Sequence, residues 1–186
     1  MFESLLAKIA RALDRAGIPY MVIGGQAVLL HGEPRLTRDI DITLGVDASD
    51  LERLLEVIRE AGLVVGVQDV RKFARETNVV PSLDDASGIR VDFIFSFSEY
   101  ERRAIERTVV FSMEDTSVRF AAVEDLIIHK LVAARPRDLE DVRGILLRNP
   151  NMDQVYLDTW LRSFSESLGR NLGKEYGDLR GVRSEI

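Results

Sequence analysis

Met21-Val-Ile-Gly-Gly-Gln-Ala-Val-Leu-Leu-His-Gly-Glu-Pro-Arg-Leu-Thr-Arg-Asp-Ile-Asp-Ile-Thr-Leu44 is the stretch that decides how this chain is read. A β-rich run from Tyr20 to Ile23 stops at Gly24-Gly25, and Asp39-Ile40-Asp41 begins fourteen residues after the second glycine. Side chains on a strand alternate with period two, so Asp39 and Asp41 share one face while Ile40 and Ile42 share the other. Carboxylates held side by side repel each other unless a cation lies between them. Hard oxygen ligands of this kind suit Mg²⁺, which takes one or two carboxylates together with substrate phosphates. A glycine pair that ends a strand and opens a helix lets a phosphate approach the backbone at a helix N-terminus. The stretch therefore points to a metal-dependent nucleotide site. Two plainer readings stand beside it: glycines that serve only the turn, and a solvated strand edge. A dinucleotide fingerprint is excluded, because its third spaced glycine is absent.

Outward from this stretch, a further acid lies in Ile89-Arg-Val-Asp-Phe-Ile-Phe95. Asp92 interrupts a nearly apolar strand, where an unpaired carboxylate costs several kcal/mol, so it needs a partner. Arg90 has the same side-chain parity and offers a structural ion pair; a cation shared with Asp39 and Asp41 is the alternative. Around these strands the pattern predicts helices over 4–16, 26–31, 47–61, 70–77 and 99–106, and strands over 20–23, 39–44, 63–67, 78–83 and 89–95. A hairpin is expected from 109–113 and 117–121. From Val123 the apolar period becomes 3.6, giving helices at 123–134, 137–148 and 153–170, separated by Pro136 and by Asn149-Pro150-Asn151. The organisation expected is a mixed α/β core over 1–120, a helical part over 121–173 packed on it, and a loose tail over 174–186 with little apolar material.

The bulk composition narrows the classes. The 186 residues are 46% hydrophobic and 30% charged, ordinary for a globular protein with a real core. No window approaches eighteen uninterrupted apolar residues, so no membrane span is expected. The amphipathic start Met1-Phe-Glu-Ser-Leu-Leu-Ala-Lys8 is unlike a signal peptide. With no cysteine there is no disulfide framework or thiolate metal site, and a cytoplasmic location is expected. A formal charge of −6 argues against a global electrostatic grip on nucleic acid. Of the 25 basic residues only Lys8, Lys72, Lys130 and Lys174 are lysines.

Two glycines, thirteen intervening residues, Asp-x-Asp and a later Asp on an apolar strand form a pattern that resembles the DNA polymerase β-type nucleotidyltransferase superfamily. Arg35-Leu-Thr-Arg-Asp-Ile-Asp41 resembles the motif of its minimal bacterial branch, the AbiEii-type toxin nucleotidyltransferases. The run Val123-Glu-Asp-Leu-Ile-Ile-His-Lys-Leu-Val-Ala-Ala-Arg-Pro-Arg-Asp-Leu-Glu-Asp141 is similar to the helical-Lys and basic-Asp-x-x-Asp segments of that branch. The resemblance covers roughly residues 18–147. It implies a twisted mixed sheet flanked by helices with a C-terminal helical part. It also implies transfer of a nucleoside monophosphate from a nucleoside triphosphate to an acceptor hydroxyl. In that scheme Asp39, Asp41 and Asp92 hold two Mg²⁺ ions, with Mn²⁺ as a substitute, and Asp92 orients or deprotonates the attacking hydroxyl. Gly24, Gly25, Thr37, Arg38, Lys130 and Asp141 contact the nucleotide, and Lys130 joins the catalytic set. The implied partners are a nucleoside triphosphate, an RNA, tRNA, protein or small-molecule acceptor, and an antitoxin protein. The rival is a non-catalytic nucleotide-binding or partner module that keeps the fold.

The remaining candidates carry less. Lys130 lies on a helical stripe with Val123, Ile127, Leu131 and Ala134, so its ammonium either snorkels to the surface or serves phosphates. Asp138 and Asp141, on one helix face just after Pro136, also suit a helix N-terminus. With His31 and His129 the only histidines, and His129 expected exposed or half-buried, a zinc site is not expected. Arg102, Arg103 and Arg107 read as a solvated face, and Trp160 with Phe164 as core for the last helix.

Overall fold

The computed structural model describes residues 2–96 and 98–181. The chain divides into two compact units, Met1–Gln26 with Leu36–Ala121 and Ala27–Arg35 with Ala122–Ile186. The first unit contains a seven-stranded mixed sheet in the order β3-β4-β5-β2-β1-β7-β6. Its strands are β1 (Tyr20–Ile23), β2 (Asp39–Leu44), β3 (Val64–Val65), β4 (Val79–Asp84), β5 (Ile89–Phe95), β6 (Val109–Met113) and β7 (Thr116–Phe120). β1 runs parallel to β7 and β2 parallel to β5, and the other neighbours are antiparallel. Helices α1 (Phe2–Ala16), α3 (Leu51–Glu60), α4 (Val70–Thr77) and α5 (Glu99–Glu106) belong to the same unit, and α2 (Gly24–His31) starts in it.

The register explains which face of the sheet is core. Ile40, Ile42 and Leu44 pair with Val91, Phe93 and Phe95, and all six are buried. Each such side chain taken out of water stabilises the fold by about 1.5–3 kcal/mol. A one-residue slip would turn this set outward and bring the acids in, so the register is strongly specified. Local chemistry ends the helices. The Asp69 side chain accepts from Lys72 N at the start of α4, a Ser98–Glu101 capping box opens α5, and Asn78 closes α4 in the left-handed region. The predicted strand at 63–67 contracts to two residues, Val64 and Val65, paired with Leu83 and Ser82.

The second unit is helical: α6 (Val123–Ala133), α7 (Pro136–Arg148), α8 (Gln154–Leu168) and α9 (Leu172–Gly181). Pro136 occupies the first turn of α7, where its missing N–H costs nothing. The expectation of a loose tail from 174 is corrected up to Gly181. Leu172 and Tyr176 lie one turn apart and are both buried, and the Asn171 side chain accepts from Lys174 N at 2.9 Å. Two anchors and a cap are enough to hold a short helix that periodicity alone does not reveal. Residues 182–186 of that expected tail lie outside the described residues. Trp160 and Phe164 are half-buried rather than core; along α8 Trp160 meets Tyr156 edge-on and Phe164 at a tilt.

Candidate active site

β2 and β5 carry the three acids on the face opposite the apolar core. Asp41 and Asp92 are direct partners in the parallel register, and Ile23 of β1 and Pro81 of β4 flank them in the same row. Adjacent strands stand roughly 4.8 Å apart, and paired residues point to the same side. Asp39 follows two residues before Asp41, on the same face, opposite Arg90. The sequence-predicted trio therefore lines one face.

Each acid has its own surroundings. Thr37 Oγ1 donates to Asp39 Oδ1 at 2.8 Å, and Gln26 Nε2 donates to the Asp39 carbonyl at 3.4 Å. Arg90 Nη2 donates to Asp92 Oδ2 at 3.1 Å, so the structural Arg–Asp pair considered from the sequence exists, with an Arg90 side chain 66% exposed. The other oxygen, Asp92 Oδ1, is buried with no hydrogen-bond partner among the described residues. Leaving a buried acceptor unsatisfied costs about 1–3 kcal/mol, and more for an ionised one. Among the described residues no three His, Asp or Glu side chains form a ready-made metal-holding group.

The glycine pair is required by close approach. Gly24 has φ +62, and a Cβ there would stand 2.0 Å from Asp41 Oδ2. A Cβ on Gly25 would stand 2.3 Å from Thr37 Oγ1. Both glycines thus make room for the very side chains singled out from the sequence, at the start of α2. This fits a hard divalent cation with its phosphate ligand: oxygen donors only, one buried oxygen lacking a partner, and a bare backbone turn beside them. Arg38, also expected at the nucleotide, is exposed.

A second group of charges lies in the helical unit. Lys130 Nζ donates to Asp138 Oδ1 at 2.8 Å and to Asp141 Oδ2 at 2.7 Å, with all three side chains at most 7% exposed. Arg35 grips Asp141 with two parallel bonds, Nε to Oδ1 at 2.8 Å and Nη2 to Oδ2 at 3.0 Å. Arg135 Nε donates to Asp138 Oδ2 at 2.6 Å. Burial by itself would raise the Asp138 carboxyl, but the bonds and charges of Arg135 and Lys130 outweigh it and hold it below the usual carboxylate range. Lys130 does not snorkel; it is the centre of an ion network. His129, expected exposed or half-buried, is half-buried, and desolvation, then the Lys130 charge, push its imidazole down to about 4.

The model of the family described as "Nucleotidyltransferase of unknown function (DUF6036)" matches residues 2–168. The chain belongs to this nucleotidyltransferase family. No curated protein sequence gives a significant match. Among solved structures, the chain is similar to an antigenic nucleotidyltransferase-like protein from Paracoccidioides brasiliensis, with 18% identity, 89% of this chain and 87% of that one covered, and a TM-score of 0.55. It is also similar to ANT(2")-Ia in complex with adenylyl-2"-tobramycin, at 17% identity, 97% and 95% coverage and a TM-score of 0.50. A third, JHP933 from Helicobacter pylori, gives 20% identity, 92% and 75% coverage and a TM-score of 0.50. At these identities the likeness concerns the fold, and the mixed α/β sheet flanked by helices matches it. Among the described residues no helix is long and apolar enough to cross a membrane.

In this nucleotidyltransferase, sequence reasoning missed Arg35 and Arg135 as partners of the acids on α7. Their signal was available only in hindsight: Arg135 precedes Asp138 by three residues, a capping-box spacing. Arg35 meets Asp141 across 106 residues, which no local pattern announces.

Proposed function

We propose that this nucleotidyltransferase moves a nucleoside monophosphate from a nucleoside triphosphate to an acceptor hydroxyl, releasing pyrophosphate. The observation that carries the reading is the acid row on β2 and β5, with its buried, unsatisfied Asp92 oxygen, beside a turn that only glycine fits. Asp39, Asp41 and Asp92 would hold two Mg²⁺ or Mn²⁺ ions, which when bound neutralise the triphosphate and polarise the oxygens exchanged in the displacement. The chain's own contribution is positioning. Gly24 and Gly25 expose backbone N–H groups at the start of α2 to phosphate oxygens. Thr37, released from Asp39, has a hydroxyl to donate, and Arg38 supplies an exposed cation. Asp92 orients the acceptor hydroxyl and takes its proton at a carboxylate oxygen. Lys130 and Asp141 would act as positioning residues, since their charges are already committed to each other and to Asp138 and Arg35.

The acceptor classes are RNA or tRNA, protein, and a small polyhydroxylated molecule. Kinship with the AbiEii-type branch, and with it a toxin role and an antitoxin partner, rests on the sequence resemblance over 35–41 and 123–141. A second reading, a nucleotide-binding module without turnover, is favoured by the separate engagement of Asp39 by Thr37 and Asp92 by Arg90. The deciding experiment incubates the protein with each triphosphate labelled at the α-phosphate, Mg²⁺, and either total RNA or an aminoglycoside panel, alongside Asp41→Ala. Label transferred by the wild type alone supports catalysis and names the acceptor class. Mg²⁺–nucleotide binding without transfer supports the inert module, and equal label with both proteins removes the site from consideration.

A further inference from the structure

Arginine–carboxylate pairs in this chain are built in two ways. Arg35 grips both oxygens of Asp141, at 2.8 and 3.0 Å, with its side chain 22% exposed. Arg90 reaches Asp92 through a single bond, Nη2 to Oδ2 at 3.1 Å, with its side chain 66% exposed. A bidentate, enclosed pair fixes geometry, whereas a single-bonded pair in water is weak and opens to competing ions. Arg90 also stands where a cation relieves the row. It lies two residues before Asp92 on β5, so both side chains leave the same face, and it is the direct register partner of Asp39 on β2. One guanidinium thus stands beside two of the three acids and offsets part of their mutual repulsion. Asp92 Oδ1 has no hydrogen-bond partner, so among the described residues only Arg90 tethers this carboxylate.

We propose that Arg90 is a displaceable counter-ion of the carboxylate row: it holds Asp92 Oδ2 until a divalent cation takes that oxygen, and swings into solvent as the cation binds. The inference rests on the metal-holding role proposed for Asp92. An arginine does not lose its proton near neutral pH, so it leaves Asp92 only by rotation of its side chain, which has room because it is mostly in water. The divalent ion prevails because it carries twice the charge and binds oxygen at about 2.1 Å, against 3.1 Å for the guanidinium nitrogen. Each ion that binds at Asp92 must still break the pair first. Arg90 therefore lowers the affinity of the row for a bare cation and leaves the charge of the triphosphate to recruit the metal.

The test is a titration of the full chain with Mg²⁺ alone at constant ionic strength, followed by calorimetry and by NMR of the arginine side chains. The Arg90 signals are those absent from Arg90→Ala. They are expected to shift with the same midpoint as the heat, and to end with the fast solvent exchange of an unpaired guanidinium. Arg90→Ala, an exposed change checked for folding by circular dichroism, should bind Mg²⁺ about three- to fivefold more tightly, the ratio set by the worth of such a pair. A fixed tether predicts the opposite sign, since its loss would let the Asp92 carboxylate turn away and weaken binding. Arg90 signals unmoved at saturating Mg²⁺, or Arg90→Ala binding no tighter than wild type, overturn the proposal and leave the metal site standing. Mg²⁺ bound by neither protein overturns it together with the metal-holding role of Asp92.

Discussion

Asp92 and Asp138 are both carboxylates held largely out of water, and they are treated in opposite ways. Asp138 is 3% exposed and has every oxygen bonded, to Lys130, to Arg135 and to the Arg135 backbone. Asp92 is 21% exposed, shares one oxygen with an arginine that is mostly in water, and keeps the other buried and unsatisfied. Charges that are saturated by neighbours stabilise a particular packing, and removing one partner exposes the remainder. Charges left incomplete cost stability in the free protein and are regained when a ligand arrives. The Lys130–Asp138–Asp141 group of the helical unit shows the first arrangement, and Asp92 on the carboxylate face of β2 and β5 shows the second.

The contrast breaks most sharply through Asp41→Ala. Label transfer is expected to fall by about 10³-fold or more, with thermal unfolding shifted by less than about 4 °C. A large loss of stability with transfer retained would place Asp41 among the saturated charges. Lys130→Met should do the reverse, lowering stability by about 3–5 kcal/mol in urea titrations because it strips the shared cation from two buried acids. A loss below about 1 kcal/mol together with weakened nucleotide binding would return Lys130 to the phosphates.

The pH profile sharpens the comparison within the helical unit. His129 has its imidazole depressed from 6.5 to about 4, so the unfolded chain binds more protons between those values. The stability this supplies is present above pH 6.5 and is lost as pH falls toward 4, by roughly 3 kcal/mol. Asp138, also depressed, adds a further loss only below about pH 4, near its unfolded value. A His129→Leu protein that still melts progressively earlier between pH 6.5 and 4 would assign that slope elsewhere. Gly25→Ala, by driving a methyl group into Thr37, should weaken Mg²⁺–nucleotide binding about tenfold by calorimetry. Arg90→Ala is the smallest change. Its exposed pair with Asp92 is worth under about 1 kcal/mol, so stability should hardly move, and a marked loss would make that pair structural.

Much of this was present in the order of residues. Alternating Asp and Ile over 39–42 and an acid amid 89–95 fixed two strands and the faces they present, because side-chain period is a local property of the backbone. Gly24 and Gly25 marked a turn into a helix for the same reason. What they make room for, Asp41 on one side and Thr37 on the other, is a tertiary fact. So are the parallel pairing that brings Asp41 beside Asp92 and the bond from Arg35 to Asp141, since contacts between distant residues depend on where the whole chain returns. Lys130 illustrates the division best. Helical spacing showed that it interrupts an apolar stripe, but only the packing of α6 against α7 decided that its charge would be enclosed by two acids and not offered to solvent.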